Sequence, residues 1–317
     1  MNTSIMKASI KKELWEFTGM LTWIPVALGS VFILIPLLIL LLTGIDMNAH
    51  IEFNGSDINT PLNALKSFSE IQYDESIVND INGFFFVTSL AMFFPFILVG
   101  FIVQLYYFIA CLYDERRDQS VMFWRSLPVS DTATIASKLL TGAVIIPAIF
   151  YAAATALLLI VLVLVFIACV ILSMSYDISI WGLWSSISII STLGSLWLIL
   201  IPIAVWLLPL FSWLMLTSIY AKKAPFLWAI LPIVALLMIE FIVVYYLQLS
   251  PPFFGEFIAD YFSLTSTEQV SMTFSEEYHS RLEPVATILR SIDYRTVIVS
   301  TILLFATYWI RVNKQES

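Results

Sequence analysis

The sequence predicts an all-α polytopic membrane protein with six transmembrane helices, both termini cytoplasmic, and an amphipathic helix at the N-terminal interface. Three observations predict it. Hydrophobic residues are 60% of the 317 and charged residues 12%, against roughly 45–50% and 25% in soluble domains. Apolar runs near 22–43, 84–112, 140–173, 188–220, 226–248 and 294–311 match the length of about 20 residues that a helix needs to cross a bilayer. Lysine and arginine are unevenly shared between the connections, as the positive-inside rule requires. With the N-terminus inside, Lys7, Lys11, Lys12, Arg116, Arg117, Arg125, Lys138, Lys222, Lys223, Arg311 and Lys314 are cytoplasmic. Only Lys66, Arg281, Arg290 and Arg295 then lie outside.

The same composition excludes other classes. Mean hydropathy of +0.92 in a 36.0 kDa chain rules out a soluble, disordered or disulfide-stapled fold. A net charge of −8 gives no overall basic field for nucleic acid. Cys111 and Cys169 both lie in apolar runs, where cysteine behaves as a small buried hydrophobe, so neither a disulfide nor a metal site is expected.

The elements follow in order. In the first segment, 1–21, Met6, Ile10, Leu14, Phe17 and Leu21 recur at helical spacing, with Lys7, Lys11, Lys12 and Glu16 elsewhere. That pattern suits a helix on the inner leaflet, as an interfacial anchor or as a lever moved by a cytoplasmic partner. Its mixed charge and the lack of a short apolar core with a small-residue cleavage site do not fit a cleaved signal. The outer loop 44–83 is polar and acidic, and the inner loop 113–139 is the most charged stretch. The fourth apolar run is nearly uncharged from Ile178 to Tyr220, so an interfacial turn around Trp181, Gly182 and Trp184 is expected before the true span. The short turn Ala221–Pro225 makes spans four and five antiparallel neighbours. The outer segment 249–293 opens with Pro251-Pro252-Phe253-Phe254-Gly255, followed by Phe257, Ile258 and Phe262, a short amphipathic element at the membrane surface.

Catalytic chemistry has little to work with. There is no GxxxxGK[ST] phosphate loop. The two histidines, His50 and His279, fall in the outer segments, and no HExxH spacing exists. No histidine or lysine inside a span could activate a nucleophile. The chain is therefore read as a non-enzyme. Glu240 is the carboxylate within a span, about 14 residues into the fifth and so about 21 Å along it. It either faces a cationic or hydroxylated substrate, or is protonated and hydrogen-bonded to a tyrosine or serine of a neighbouring span. Gln104, Tyr106 and Tyr107 on span two are weaker candidates for a translocation path.

Residues 114–138 read DERRDQSVMFWRSLPVSDTATIASK. Asp114, Glu115, Arg116, Arg117 and Asp118 form a mixed-charge cluster at a helix end, suited to salt bridges. Val121, Met122, Phe123, Trp124 and Leu127 form an apolar patch. Pro128 breaks the helix at Leu127, and Ser130 or Asp131 caps a new one, with Thr132 and Thr134 in its first turn. Two short helices are expected to meet at a proline corner. That corner is either a docking surface or a juxtamembrane helix with its arginines on lipid phosphates.

This stretch resembles the loop between spans two and three of ABC-2 type transporter permeases. There an acidic residue and small polar residues precede an apolar segment, then Leu-Pro-Val-Ser and a lysine opening the third span. Here these are Glu115, Gln119-Ser120, Met122–Trp124, Leu127-Pro128-Val129-Ser130 and Lys138, with Gln119-Ser120 standing where the family usually has Gly-Thr. The resemblance implies a single permease domain over 1–317 that pairs as a dimer with two copies of a separately encoded ATP-binding subunit. ATP and Mg would sit on that partner, leaving no cofactor on this chain. It also implies that Glu115, Arg116, Arg117, Phe123, Trp124, Arg125, Leu127, Pro128, Ser130, Asp131 and Lys138 couple the ATPase to the spans, and that spans two and five line a path holding Glu240, Gln104 and Tyr107. The expected function is an exporter in the inner membrane. The alternatives are an ion-coupled secondary transporter, or a non-transporting anchor or sensor for a cytoplasmic complex.

Overall fold

The computed structural model describes residues 3–43, 51–53, 56–58, 74–117, 130–176, 181–248, 251–262, 285, 288–289, 292 and 294–313. Among these the protein is helical, apart from a two-stranded ribbon that sequence pattern did not suggest. In it β1 (Ile51–Phe53) pairs antiparallel with β2 (Ser56–Ile58), Ile51 opposite Ile58. Six helical segments are long and apolar enough to cross a membrane: Thr18–Ile39, Glu75–Arg117, Asp131–Met174, Ile189–Trp206, Pro225–Tyr246 and Tyr294–Asn313. Their exposed surfaces are dominated by leucine, isoleucine, valine and phenylalanine, the composition a lipid environment calls for.

Helix α1 (Thr3–Glu16) is followed after one residue by α2 (Thr18–Thr43), so the N-terminal helix ends before residue 21. Helix α3 (Glu75–Ala110) starts nine residues earlier than hydropathy suggests, because Glu75 opens its first turn with a charge that suits the helix dipole. The short α4 (Tyr113–Arg117) continues its line. Helix α5 (Asp131–Leu140) is N-capped by Ser130, whose Oγ accepts the Ala133 N–H at 3.3 Å. Of the two caps the sequence left open, Ser130 is the one used. A π-helical turn at Thr141–Ile145 then leads into α6 (Ile146–Tyr176).

The expected interfacial turn near Trp181 is a short helix, α7 (Trp181–Ser186). The fourth apolar run is three helices, α8 (Ile189–Leu198), α9 (Leu200–Trp206) and α10 (Leu208–Tyr220). Both breaks have a proline cause. Pro202 and Pro209 cannot donate to the carbonyls of Leu198 and Val205, and their rings press on those carbonyls. Helix α11 (Pro225–Phe241) begins after Ala224, which holds a left-handed φ of 48°, and passes into a π turn at Ile242–Tyr246. The Trp213 indole donates to the Ala229 carbonyl at 3.1 Å, and Tyr220 meets Trp228 edge to face at 5.4 Å. These contacts pair α10 with α11 across the four-residue turn, as expected. Helix α12 (Phe254–Phe262) is the amphipathic element after the double proline, and α13 (Tyr294–Asn313) is the last span.

The chain divides into two compact units. One comprises Met1–Thr18, Val99–Ala148 and Leu198–Ser317; the other comprises Gly19–Leu98 and Ile149–Trp197. In the second unit, Phe93 meets Tyr151 edge to face at 5.8 Å, and Tyr151 meets Trp197 at 6.0 Å. Trp197 donates to Thr155 Oγ1 at 3.0 Å, and the Asn82 carboxamide oxygen accepts both the N–H and hydroxyl of Ser188 ahead of α8. In the first unit, Phe108 stacks on Phe211 at 4.6 Å, amid buried Leu112, Met215 and Ile219. That unit holds the residues described next.

Candidate functional site

The site grows from helix ends that each carry charge. Ser9, Lys12 and Glu13 share one side of α1, at i, i+3 and i+4. Glu115 opens α4, Lys138 lies in the last turn of α5 and Arg311 in the last turn of α13. The fold brings all of them together. Lys138 Nζ lies 2.8 Å from Glu13 Oε1 and 3.1 Å from Glu115 Oε1, and Lys12 Nζ lies 3.0 Å from that same Glu115 oxygen. On the other side Arg311 Nη1 is 3.5 Å from Glu115 Oε2, and its Nε donates to Asp131 Oδ1 at 2.8 Å. The Tyr107 hydroxyl donates to Glu13 Oε2 at 3.0 Å, and the Ser9 and Ser137 hydroxyls meet at 2.9 Å.

Relative exposure decides how to read the cluster: Glu13 and Lys138 are 1% exposed, Arg311 3% and Glu115 4%. Charges this deep are retained only when paired and hydrogen-bonded. Three carboxylates (Glu13, Glu115, Asp131) face three cations (Lys12, Lys138, Arg311), so the cluster is charge-balanced. It fastens the N-terminal helix, the end of span two, the start of span three and the end of the last span to one another. Glu16 stays exposed beside it; crowding by protein atoms, then the nearby Glu13 carboxylate, raises its carboxyl above the ordinary 4.5.

A second fastening lies alongside. Arg116 donates to the Ile219 carbonyl at 2.5 Å and to the Ala221 carbonyl, two acceptors at the end of α10. Ser218 Oγ accepts the N–H groups of Leu112 at 3.2 Å and Tyr113 at 3.0 Å. Each helix end thereby satisfies backbone groups of the other. A third fastening is the π turn. In π register Pro147 would donate to the Gly142 carbonyl, but proline has no N–H, and Gln104 Nε2 takes its place at 2.8 Å. Gly142 also needs to lack a side chain, since a Cβ there would stand 2.4 Å from the Phe108 ring.

The expected site residues divide accordingly. Glu115, Asp131 and Lys138 meet in the charge cluster, buried or half-buried. Their surroundings are other helices of this chain, so they flank residues 118–129 instead of presenting a surface. Arg116 makes no ion pair among the described contacts and holds backbone carbonyls instead, whereas exposed Arg117 pairs with Asp114 at 3.3 Å. Ser130 is a helix cap. Phe123, Trp124, Arg125, Leu127 and Pro128, with the proline corner itself, lie outside the described residues. Gln104 and Tyr107 are buried fasteners of span two.

Glu240 is also held by the chain, but by neither partner type expected. Its Oε1 accepts the N–H groups of Phe253 at 2.6 Å and Phe254 at 3.0 Å, and its Oε2 accepts that of Gly255 at 2.6 Å. A carboxylate from span five thus caps the positive end of α12. The far end of α12 is tied by Tyr261, whose hydroxyl contacts the Trp206 carbonyl at 2.7 Å and Thr296 Oγ1 at 3.2 Å.

Sequence inspection missed Glu13, Lys12 and Arg311 as site members. A partner 125 residues away leaves no local pattern, and the basic residues are equally explained by the positive-inside rule. The signal present was a carboxylate, Glu13, between apolar Leu14 and the lysine pair Lys11-Lys12. No group of three or more metal-ligating side chains exists among the described residues. Comparison with family models, curated proteins and solved structures finds no match for this chain.

Proposed function

We propose that the chain is the membrane-spanning subunit of an ATP-binding-cassette exporter of the ABC-2 type. It works as a homodimer in the inner membrane with two copies of a separately encoded ATPase, which carries ATP and Mg. The observation that supports this most is the buried charge cluster at both flanks of residues 118–129. Glu115 precedes that stretch and Asp131 follows it, and both are tied to Arg311. In this reading the cluster is a clasp. When ATP closes the partner pair, a push on the corner around Pro128 reaches α1, spans two and three and the last span together, switching the spans between inward-open and outward-open states. Contact with the ATPase falls to Phe123, Trp124, Arg125, Leu127 and Pro128, with Arg117 at the edge.

An ion-coupled carrier is the second reading, favoured by the buried acid–base network, since such groups mark proton and ion pathways. The saturation of Glu240 by three amides counts against it. Purification from the native membrane in mild detergent separates the two. The exporter reading expects an ATP-binding subunit in equal amount, lost when Pro128→Ala is combined with Arg117→Glu. Intact protein recovered without any ATPase would sink it and bring the carrier and anchor readings forward.

A further inference from the structure

The charge cluster sorts the ionised groups at its end of the unit. It consumes Glu13 and Glu115 completely and Asp131 largely, and with them Lys12, Lys138 and Arg311. Among the described residues, what it leaves outside is mostly positive. Lys7, Lys11, Arg117, Lys222 and Lys223 are exposed there, against exposed Glu16 and the Asp114 that pairs with Arg117. A chain of net charge −8 therefore carries a local basic face.

That face has a second property. With Ser9, Lys12 and Glu13 pinned inward, Lys7, Lys11 and Trp15 form the opposite stripe of α1, at i, i+4 and i+8. Trp15 is 71% exposed, and Lys11 Nζ sits 4.9 Å over its ring. At the α10–α11 turn the pattern repeats, with Lys222 and Lys223 beside exposed Tyr220 and Trp228. Exposed indoles and phenols next to lysines are the side-chain set of a membrane–water interface, where the rings sit at headgroup level and the ammonium groups reach phosphates.

We propose that this face, Lys7, Lys11 and Trp15 with Lys222 and Lys223, binds the headgroups of anionic phospholipids and holds α1 in register on them. The inference rests on the membrane-spanning architecture and is independent of the exporter reading. An ATPase-type protein partner would be expected to cover the aromatic rings with apolar surface, whereas lipid fits both the rings and the paired lysines.

The test uses the full chain in nanodiscs of phosphatidylcholine with or without phosphatidylglycerol. Native mass spectrometry reads retained lipid, and thermal unfolding reads stability. Retention of phosphatidylglycerol over phosphatidylcholine is expected, weakening by about fivefold for each lysine removed and falling with salt. Lys7→Gln with Lys11→Gln, and Lys222→Gln with Lys223→Gln, should each remove part of the preference, and the four together nearly all of it. The quadruple variant should fold, because none of these lysines belongs to the buried cluster. Equal retention of both lipids by the parent chain, or an undiminished preference in the quadruple variant, would overturn the proposal. Displacement of the lipid by inorganic phosphate would overturn it too, in favour of a free-anion site. So would loss of a co-purifying protein partner with lipid preference intact, which would make the face a protein contact.

Discussion

Lys138 donates to Glu13 at 2.8 Å although 125 residues separate them. Both side chains are 1% exposed. Glu13 has no water to fall back on, so removing Lys138 leaves it a buried carboxylate held by the neutral Tyr107 hydroxyl, whereas Lys138 would keep Glu115 if Glu13 were removed. Lys138→Met should destabilise the protein by about 3–5 kcal/mol, read as a lower unfolding temperature in detergent. Adding Glu13→Gln to Lys138→Met should recover part of that loss, because it removes the stranded carboxylate. Strictly additive losses in the double variant would show that Lys138 acts by packing rather than by charge.

Glu13 and Glu16 lie three residues apart on α1 and should respond oppositely. Glu13→Gln breaks the tie to Lys138, whereas Glu16→Gln removes a carboxylate that the folded state prefers protonated. Crowding and the Glu13 charge raise the Glu16 carboxyl above its ordinary 4.5. The unfolded chain therefore releases that proton at lower pH than the folded one. The contribution of Glu16 favours the folded state below its ordinary value and declines as pH rises through the raised one. Unfolding of Glu16→Gln, followed across that window, should lose this decline and match or exceed the parent chain above it. A Glu16→Gln protein less stable at neutral pH would contradict the assignment.

Arg116 and Ser218 clasp two helix ends reciprocally, so their effects should be coupled. Ser218→Ala frees the N–H groups of Leu112 and Tyr113, at about 1 kcal/mol. Arg116→Lys keeps the charge but loses the fork that spans two carbonyls. A double-mutant cycle should give a coupling of about 0.5–1 kcal/mol; a zero coupling would mean the two contacts form independently.

Gly142 is fixed by its neighbour. A Cβ would lie 2.4 Å from Phe108 Cζ, and the ring cannot retreat freely because it stacks on Phe211 at 4.6 Å. Gly142→Ala should cost about 1–3 kcal/mol through overpacking, and Phe108→Leu in the same chain should relieve some of it. If Gly142→Ala alone is neutral, the π turn at Thr141–Ile145 is softer than the packing implies.

How far these features were legible depends on their range. Hydropathy located six spans because a bilayer constrains each one locally, and Ser130 was legible as a cap because its partner is three residues away. Charge at 114–118 was legible as salt-bridge material, but the roles were not. Arg116 turned out to hold backbone carbonyls of α10, and Glu115 a lysine from α1 and another from α5. Such partners are set by which helix ends meet, and no period in the sequence encodes that. Pro147 illustrates the gap. Its missing N–H is visible in the sequence, but that Gln104 supplies the substitute depends on the packing of span two on span three.

Glu240 carries the sharpest reassignment. A span carboxylate on a transport path would have oxygens free for a substrate, whereas both oxygens of Glu240 accept backbone N–H groups at the start of α12. Glutamine keeps the shape but turns one oxygen into an N–H2 group, which would face the Gly255 N–H and leave a donor against a donor. Glu240→Gln should therefore weaken this cap and loosen α12 before the rest of the unit. Hydrogen exchange of Phe254–Phe262 should rise in Glu240→Gln, with α10 and α13 little changed. Gly255→Ala should produce a milder version of the same change, since its Cβ would press on Glu240 Oε2 at 3.2 Å. Unchanged exchange in α12, together with lost transport in Glu240→Gln, would return the residue to the translocation path.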